Sequence, residues 1–450
     1  MKRTLLLFLA ACMLAQCCLF AACGSDKKDS VKGPNQGSSS QNNPNNPNNP
    51  DDPDAPKAPP IIEQSVPEIH ITTQDGAEIP LNKDKVDCTV TLDSSVEHYR
   101  AKDLTATIRC RGNGSMTVGK RTGKFPYKLK FDEKINLFGT GDGAAKEWVL
   151  IANVGDQSML RNYAAKLLGD KLDGIPYSPN VRLVNVYLND EYIGVYELTE
   201  QIEVKDCRVP VDDSYTMEEN GFLVELDAYA DGDYVYVGGY RFAVKSDLHS
   251  EEQLDFIQNY LDEVYYNICI GDMRALGKMV NMKSVVDMYL IQEFAKNIDI
   301  GWSSFYMYRD VEGKLFFAPP WDLDLAFGND ARLDNGSFTD LYVGTGRTGF
   351  MQNHKWFMML YDYDWFKDLV KNRWNKVSDI FEEVIEDVKA MAEYIAPAME
   401  ENYKKWDFLG KKQQQEPQAI VELTTYKQHT DYLVEWMTNR KAWLDQEFAK

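Results

Sequence analysis

Hydrophobic periodicity changes character along this chain, and that change limits the fold more than any other feature. Between residues 69 and 131 apolar and polar residues alternate: Ile69-His-Ile-Thr-Thr73, Cys88-Thr-Val-Thr-Leu92, Leu104-Thr-Ala-Thr-Ile-Arg-Cys110 and Tyr127-Lys-Leu-Lys-Phe131. A period of two predicts half-buried strands. A helix is predicted next, with Asp156 as its N-cap, Met159, Leu160, Tyr163, Ala164, Leu167 and Leu168 on its apolar face, and Gly169 at its end. A hairpin follows, Val181 to Leu188 and Tyr192 to Leu198, turning at Asn189-Asp190. After a strand at Gly221–Leu226 the pattern turns helical: about 251–268, 283–297, and Lys355 to Lys450. Strands first and helices later predict an α+β body in two parts, without internal repeats.

Two segments precede that body. Residues 1–22 open with Lys2-Arg3 and an apolar run too short to span a membrane, which predicts a secretory signal. Phe20-Ala-Ala-Cys23 fits a bacterial lipobox, so lipid attachment at Cys23 is expected; Leu9-Ala-Ala-Cys12 also fits but leaves only a stub of apolar core. The alternative is a secreted protein without the lipid. Residues 23–65 form a tether rich in Asn, Asp, Ser and Pro that buries no core. The folded part is expected over 66–450, with a strand-rich part at 66–205 and a second part at 206–450.

The formal net charge of −21 argues against nucleic acid, whose binding needs clustered Lys and Arg. An anionic ligand would need local basic groups or a metal. Cys88, Cys110, Cys207 and Cys269 remain in the body, and export permits disulfides among them, although buried free thiols suit at least two. His70, His98, His249, His354 and His429 show no catalytic or ligand spacing, so Ser/His/Asp hydrolysis has no support.

The chemistry concentrates in two places. In the first, a helix at 283–297 with Val286, Leu290 and Phe294 on one face ends near Asn297, which puts Asp299 on a loop. Ser304 to Tyr308 and Leu315 to Ala318 predict a hairpin turning at Asp310–Gly313, and Pro319-Pro320 stop it. On extended backbone Asp322 and Asp324 would share one side, with Trp321, Leu323 and Leu325 on the other. Two like charges on one side repel unless a cation sits between them, and oxygen ligands suit Mg²⁺ or Mn²⁺. A lone Asp-x-Asp more often caps turns on a solvated edge, but Trp321, Phe327 and the double proline fit such an edge poorly. An EF-hand fails because its twelfth position is Leu333 rather than Glu.

The second place is Arg109-Cys-Arg111-Gly112-Asn113-Gly114-Ser115, followed by Lys120-Arg121, Lys124, Lys128 and Lys130. A Gly-rich turn between strands exposes N–H groups to an anion. Lys128 and Lys130 share one face of the following strand. An ordinary hairpin turn is the competing reading, but so many basic residues in an acidic chain favour an anion site. Arg161 fits either a phosphate contact or a structural ion pair. Glu197 and Glu200 close the second hairpin and fit either adenine-side contacts or plain strand edges, and Lys245 fits an approach to the site less well than a surface position.

Arg111-Gly-Asn-Gly-Ser115, Pro126-Tyr-Lys-Leu-Lys-Phe131, Trp148-Val-Leu-Ile-Ala-Asn153, Leu160-Arg-Asn162, Val186-Tyr-Leu-Asn189, Gly194-Val-Tyr196, Glu200-Gln-Ile202, Asn297-Ile-Asp299 and Trp321-Asp-Leu-Asp324 with Phe327-Gly328 occur in an ordered series. That series closely resembles the CotH kinase family, the spore-coat-H-like atypical protein kinases, over roughly residues 66–450. The resemblance implies a divergent bilobal protein-kinase-like fold. It also implies ATP- and metal-dependent phosphorylation of Ser or Thr in a secreted or surface protein. Asp299 matches the catalytic-loop Asp, which orients the acceptor hydroxyl and takes its proton. Asp322 matches the metal-binding Asp, with Asp324 beside it, and Lys128 or Lys130 matches the nucleotide-phosphate lysine. Arg111 to Ser115 would cover the phosphates.

Two departures accompany the resemblance. Ser304 stands where kinases place a second-metal Asn, and the helix from Asp156 to Gly169 carries no Glu to pair with a strand lysine. Both features fit an inactive pseudokinase serving as a surface binding or adhesion lipoprotein, as do the acidic body and a 12% aromatic content. A glycosidase would instead require Asp299 and Asp322 at one of two characteristic separations.

Overall fold

The computed structural model describes residues 63–214, 219–345 and 355–449. The signal, the lipobox and nearly all of the tether lie outside the described residues. The packed body begins slightly before its expected start: Glu63 is buried, accepts from Ser94 Oγ and pairs with Arg182 at 2.5 Å.

The first part is a barrel. Its strands are β1 (Glu68–Thr73), β2 (Val86–Asp93), β3 (Ala101–Cys110), β4 (Tyr127–Ile135), β5 (Ala145–Ile151), β6 (Val181–Leu188) and β7 (Glu191–Glu200). They close in the order β1-β2-β3-β4-β5-β7-β6, with antiparallel neighbours except for the parallel β1–β6 seam. Inward residues such as Ile71, Val90, Ile108, Leu129, Leu150 and Leu198 fill the interior, each worth roughly 1.5–3 kcal/mol of burial. Asn189 and Asp190, both at positive φ, make the expected two-residue turn.

Two helices interrupt this sheet. α1 (Gly114–Thr122) joins β3 to β4, and α2 (Arg161–Lys171) joins β5 to β6. The expected simple turn at Arg111–Ser115 is therefore the entry to a helix, with Gly112 at φ 85° just before it. Asp156 lies upstream of α2, where its carboxylate accepts from the backbone N–H groups of Ser158 and Arg161.

The second part holds the antiparallel sheet β12-β11-β8-β10-β9, made of β8 (Phe222–Asp227), β9 (Tyr234–Val237), β10 (Tyr240–Val244), β11 (Ser303–Arg309) and β12 (Phe316–Phe317). Around it pack α3 (Glu251–Ile270), α4 (Met273–Met279), α5 (Met282–Ala295), α6 (Lys355–Tyr361), α7 (Asp364–Lys405), α8 (Gln418–Val421) and α9 (Tyr426–Ala449). α5 is buried on every face from Ser284 to Ala295 rather than along one stripe. Its charged residues are paired accordingly: Asp287 with Arg373 at 2.6 Å and Glu293 with Arg440 at 2.8 Å. α7, 42 residues long, reaches the barrel, where Asn402 Oδ1 accepts from Val195 N–H at 3.0 Å.

The chain is thus α+β, strand-rich first and helical later. What was expected as the first lobe of a bilobal kinase-like body is a closed barrel, because β1 finds a parallel partner in β6. The four body cysteines are free; Cys88 faces Ala106 across the ladder rather than Cys110. Burial pushes the Cys88 thiol up to about 12.

Candidate active site

The end of α5 aims Asp299. Lys296 takes a left-handed conformation (φ 47°) that stops the helix. Asn297 Oδ1 then accepts from Asp299 N–H at 3.1 Å, and Asp299 C=O accepts from Trp302 N–H at 2.8 Å. With the loop held this way, Asp299 Oδ1 is buried and has no hydrogen-bond partner among the described residues. Arg332 Nη2 lies 4.0 Å away, itself held by Asp330. Burial pushes the Asp299 carboxyl up to about 6, opposed by Arg332 and reinforced by Asp322 and Asp330.

The β11–β12 hairpin and the segment after it supply the facing wall. The bulge between Ser303 and Phe305 leaves Ser304 at φ 65°, and its hydroxyl donates to Asp322 Oδ2 at 3.1 Å. Asp322 is also left-handed, at φ 64°. Two non-glycine residues in this region touching each other mark a locally strained pair. The expected in–out alternation holds in part: Trp321 and Leu323 are buried, Asp322 is exposed and Asp324 half-buried, but Leu325 is half-buried too. The backbone is not a strand, because Asp322 turns it and a tight turn begins at Asp324. Burial holds the Asp324 carboxyl well above the usual carboxylate range, and the charges of Asp322, Asp299, Asp156 and Glu197 raise it further.

Behind the carboxylates stands a cationic wall of which the sequence revealed only Arg111. Lys166 on α2 pairs with Glu197 on β7 at 2.5 Å and lies 4.3 Å from the centre of the Trp321 ring. Arg111 approaches the same ring at 5.9 Å. The helix that lacks a Glu for a strand lysine therefore carries the lysine itself, and the strand carries the Glu.

Other candidates sit elsewhere. Lys128 and Lys130 lie on the outer face of β4 and both pair with Glu147 of β5, Lys130 at 3.2 Å. Arg161 is buried and committed to Asp156 (2.5 Å) and the Ala326 carbonyl (3.1 Å), which makes it a structural tie. Glu200 projects from the opposite face of β7 to Glu197 and accepts from Asn180 N–H at 2.9 Å. The structure therefore brings Arg111, Asp299, Ser304, Asp322 and Asp324 together. It leaves Arg161, Glu200, Lys128 and Lys130 occupied by other partners. Gly112 and Asn113 line a neighbouring cavity of about 550 Å³ with Lys83, Lys120, Asp227 and Tyr229.

A family model described as CotH kinase protein matches residues 108–444, from β3 to the far end of α9. The chain belongs to the CotH kinase family. No curated protein matches it significantly. The matched span contains Arg111, Asp299, Asp322 and Asp324, so membership in the CotH kinase family covers the whole acidic cluster and its cationic wall. Two participants carry no local signal in the sequence, Lys166 and Arg332, while Glu197, expected with Glu200 as an adenine-side contact or a plain strand edge, is found paired with Lys166 instead. Lys166 lies among apolar residues of a helix, and Arg332 lies in an irregular segment. Only the helix–barrel packing signals the pairing of Lys166 with Glu197.

Among the described residues no group of three His, Cys, Asp or Glu side chains is arranged to hold a metal ion alone. The donor set still fits Mg²⁺ or Mn²⁺, which take one or two carboxylates and complete their shell with phosphate oxygens and water. The burial and carboxylate repulsion that raise Asp324, and an Asp299 Oδ1 without a hydrogen bond among the described residues, are both what a nearby cation would relieve.

Proposed function

We propose that this chain is a protein kinase that transfers the γ-phosphoryl group of ATP to a Ser or Thr hydroxyl of an exported or surface protein. The observation carrying this reading is the buried Oδ1 of Asp299, which accepts no hydrogen bond among the described residues, in an electrostatic cluster with Asp322 and Asp324. A carboxylate raised to about 6 is ionised at neutral pH yet basic enough to accept a proton.

In this reading Asp299 orients the acceptor hydroxyl and takes its proton as the oxygen attacks the γ-phosphorus. The bond from that phosphorus to the β–γ bridging oxygen breaks, and ADP leaves with the bond's electron pair. Asp322 and Asp324, with the Ser304 hydroxyl, would hold Mg²⁺ or Mn²⁺, which neutralises phosphate charge when bound. Arg111, at the start of the Gly112–Ser115 segment, supplies a cation to the phosphates. The cavity beside Gly112 and Asn113 gives the acceptor an entry, lined by the exposed Tyr229, against which the exposed Trp302 packs.

The signal-like residues 1–22 and the Cys23 lipobox support an exported protein anchored to a bacterial membrane, at the outer membrane or cell surface. Ser304 in place of Asn favours a second reading, a pseudokinase that binds without turnover. Calorimetry with ATP in Mg²⁺ or Mn²⁺ tests the site itself. Metal-dependent nucleotide binding that Asp322→Ala abolishes is expected; no nucleotide binding with either metal would overturn both readings.

A further inference from the structure

Asp322 is held from both sides by one polar path that starts on the barrel. Glu197 of β7 divides its carboxylate: Oε1 takes the Lys166 ammonium at 2.5 Å, and Oε2 accepts from Asn153 Nδ2 at 2.8 Å. Lys166 faces the Trp321 ring, the residue before Asp322. Asn153 Oδ1 accepts from Asn162 Nδ2 at 3.2 Å, and Asn162 Oδ1 accepts from Leu323 N–H at 2.7 Å, the residue after Asp322. All of these side chains are buried. The left-handed Asp322 is thus strung between two fixed neighbours, and both fixings lead back to Glu197.

We infer that Lys166 and Glu197 are positioning residues that set Asp322 from the barrel, and that Lys166 is not a phosphate ligand. An ammonium has three donors. Here it meets Glu197, the Thr199 hydroxyl at 3.1 Å and the face of Trp321, while the residue is only 3% exposed. No open side is left for a phosphate. A cation over an indole face at this distance attracts it, most strongly where water is excluded. Such a device offsets the strain of a left-handed Asp by removing the freedom of its neighbours. The consequence for metal affinity rests on the proposed function; the consequence for backbone order does not.

Two readouts on the purified full-length protein test the inference with Lys166→Met, Glu197→Gln, Trp321→Leu and Trp321→Phe. In metal-free hydrogen exchange, Lys166→Met and Glu197→Gln should speed exchange of the Leu323 amide without changing β2. In Mn²⁺ calorimetry without nucleotide, Lys166→Met and Trp321→Leu should each weaken binding about ten-fold or more, the usual effect of removing a support behind a ligand. Trp321→Phe keeps a ring for the ammonium and should restore most of that affinity. Should Lys166→Met not fold, the Leu and Phe variants of Trp321 carry the comparison. Unchanged Leu323 exchange in Glu197→Gln would overturn the inference. So would a Lys166→Met protein that loses metal-free ATP affinity while its Mn²⁺ affinity and Leu323 exchange stay intact. Faster Leu323 exchange in a protein that binds no Mn²⁺ would support the positioning role and count against the metal site alone.

Discussion

Asp299 illustrates how burying a carboxylate costs stability. Its folded carboxyl titrates near 6, above the ordinary 3.8, so the folded state holds a proton that the unfolded chain has already lost. The destabilisation is absent below about pH 4, grows as pH rises to 6 and is complete above it. Asp299→Asn should therefore raise unfolding free energy by about 2 kcal/mol at pH 8, discounted for a side chain 30% exposed, and leave it unchanged at pH 4. Denaturant titrations at the two pH values check this, and an equal effect at both would remove the burial argument. In the wild type, kcat/KM should fall below about pH 6 as the base becomes protonated.

His429 shifts in the opposite direction. Burial lowers its pKa to about 4, helped by the Arg161 charge, so the folded ring stays neutral while the unfolded one charges below 6.5. Stability should drop by roughly 3 kcal/mol between pH 6.5 and 4 from this group. His429→Gln should flatten that slope, as urea titrations at several pH values would show.

At the scale of elements, strands with clean alternation and capped helices were readable from sequence, and the missed ones have physical reasons. β5 is apolar on both faces at Trp148–Leu150, since its outer face is also covered, so it shows no alternation. β9 and β10 are short, and barrel closure depends on β1 pairing with β6, more than a hundred residues away. α5 looked amphipathic because Val286, Leu290 and Phe294 stand out, yet its polar residues are buried too and satisfied by distant partners. One of them gives a test. Arg440 donates to Glu293 and to the Phe338 and Asp340 carbonyls, so Arg440→Met strands a buried carboxylate. It should cost about 3–5 kcal/mol in chemical denaturation; a loss below 1 kcal/mol would mean that Glu293 is held by the Tyr342 and Val343 amides alone.

For the whole molecule, the acidic residues of the site were legible because they lie close together in sequence, in a motif series the family shares. The cationic side was not. Lys128 and Lys130 looked like the phosphate lysines because they alternate on a strand beside a Gly-rich segment, but Glu147 on the next strand claims both. The lysine beside Trp321 is Lys166, delivered by α2, which packs on both the barrel and the helical half, and no local pattern encodes that packing. Arg111 is the one basic residue that sequence and structure place at the same wall. The body is therefore two parts meeting at one cluster, with charge of each sign contributed by different elements. The function proposed for this cluster is phosphoryl transfer. Its most direct measurement is transfer of labelled γ-phosphate from ATP to a Ser-rich acceptor, with Mg²⁺ or Mn²⁺, by the wild type and Asp299→Asn. Label on acceptor hydroxyls should fall by about 100-fold or more in the variant; label that appears equally with both proteins, or with neither under either metal, would rule out phosphoryl transfer by this cluster.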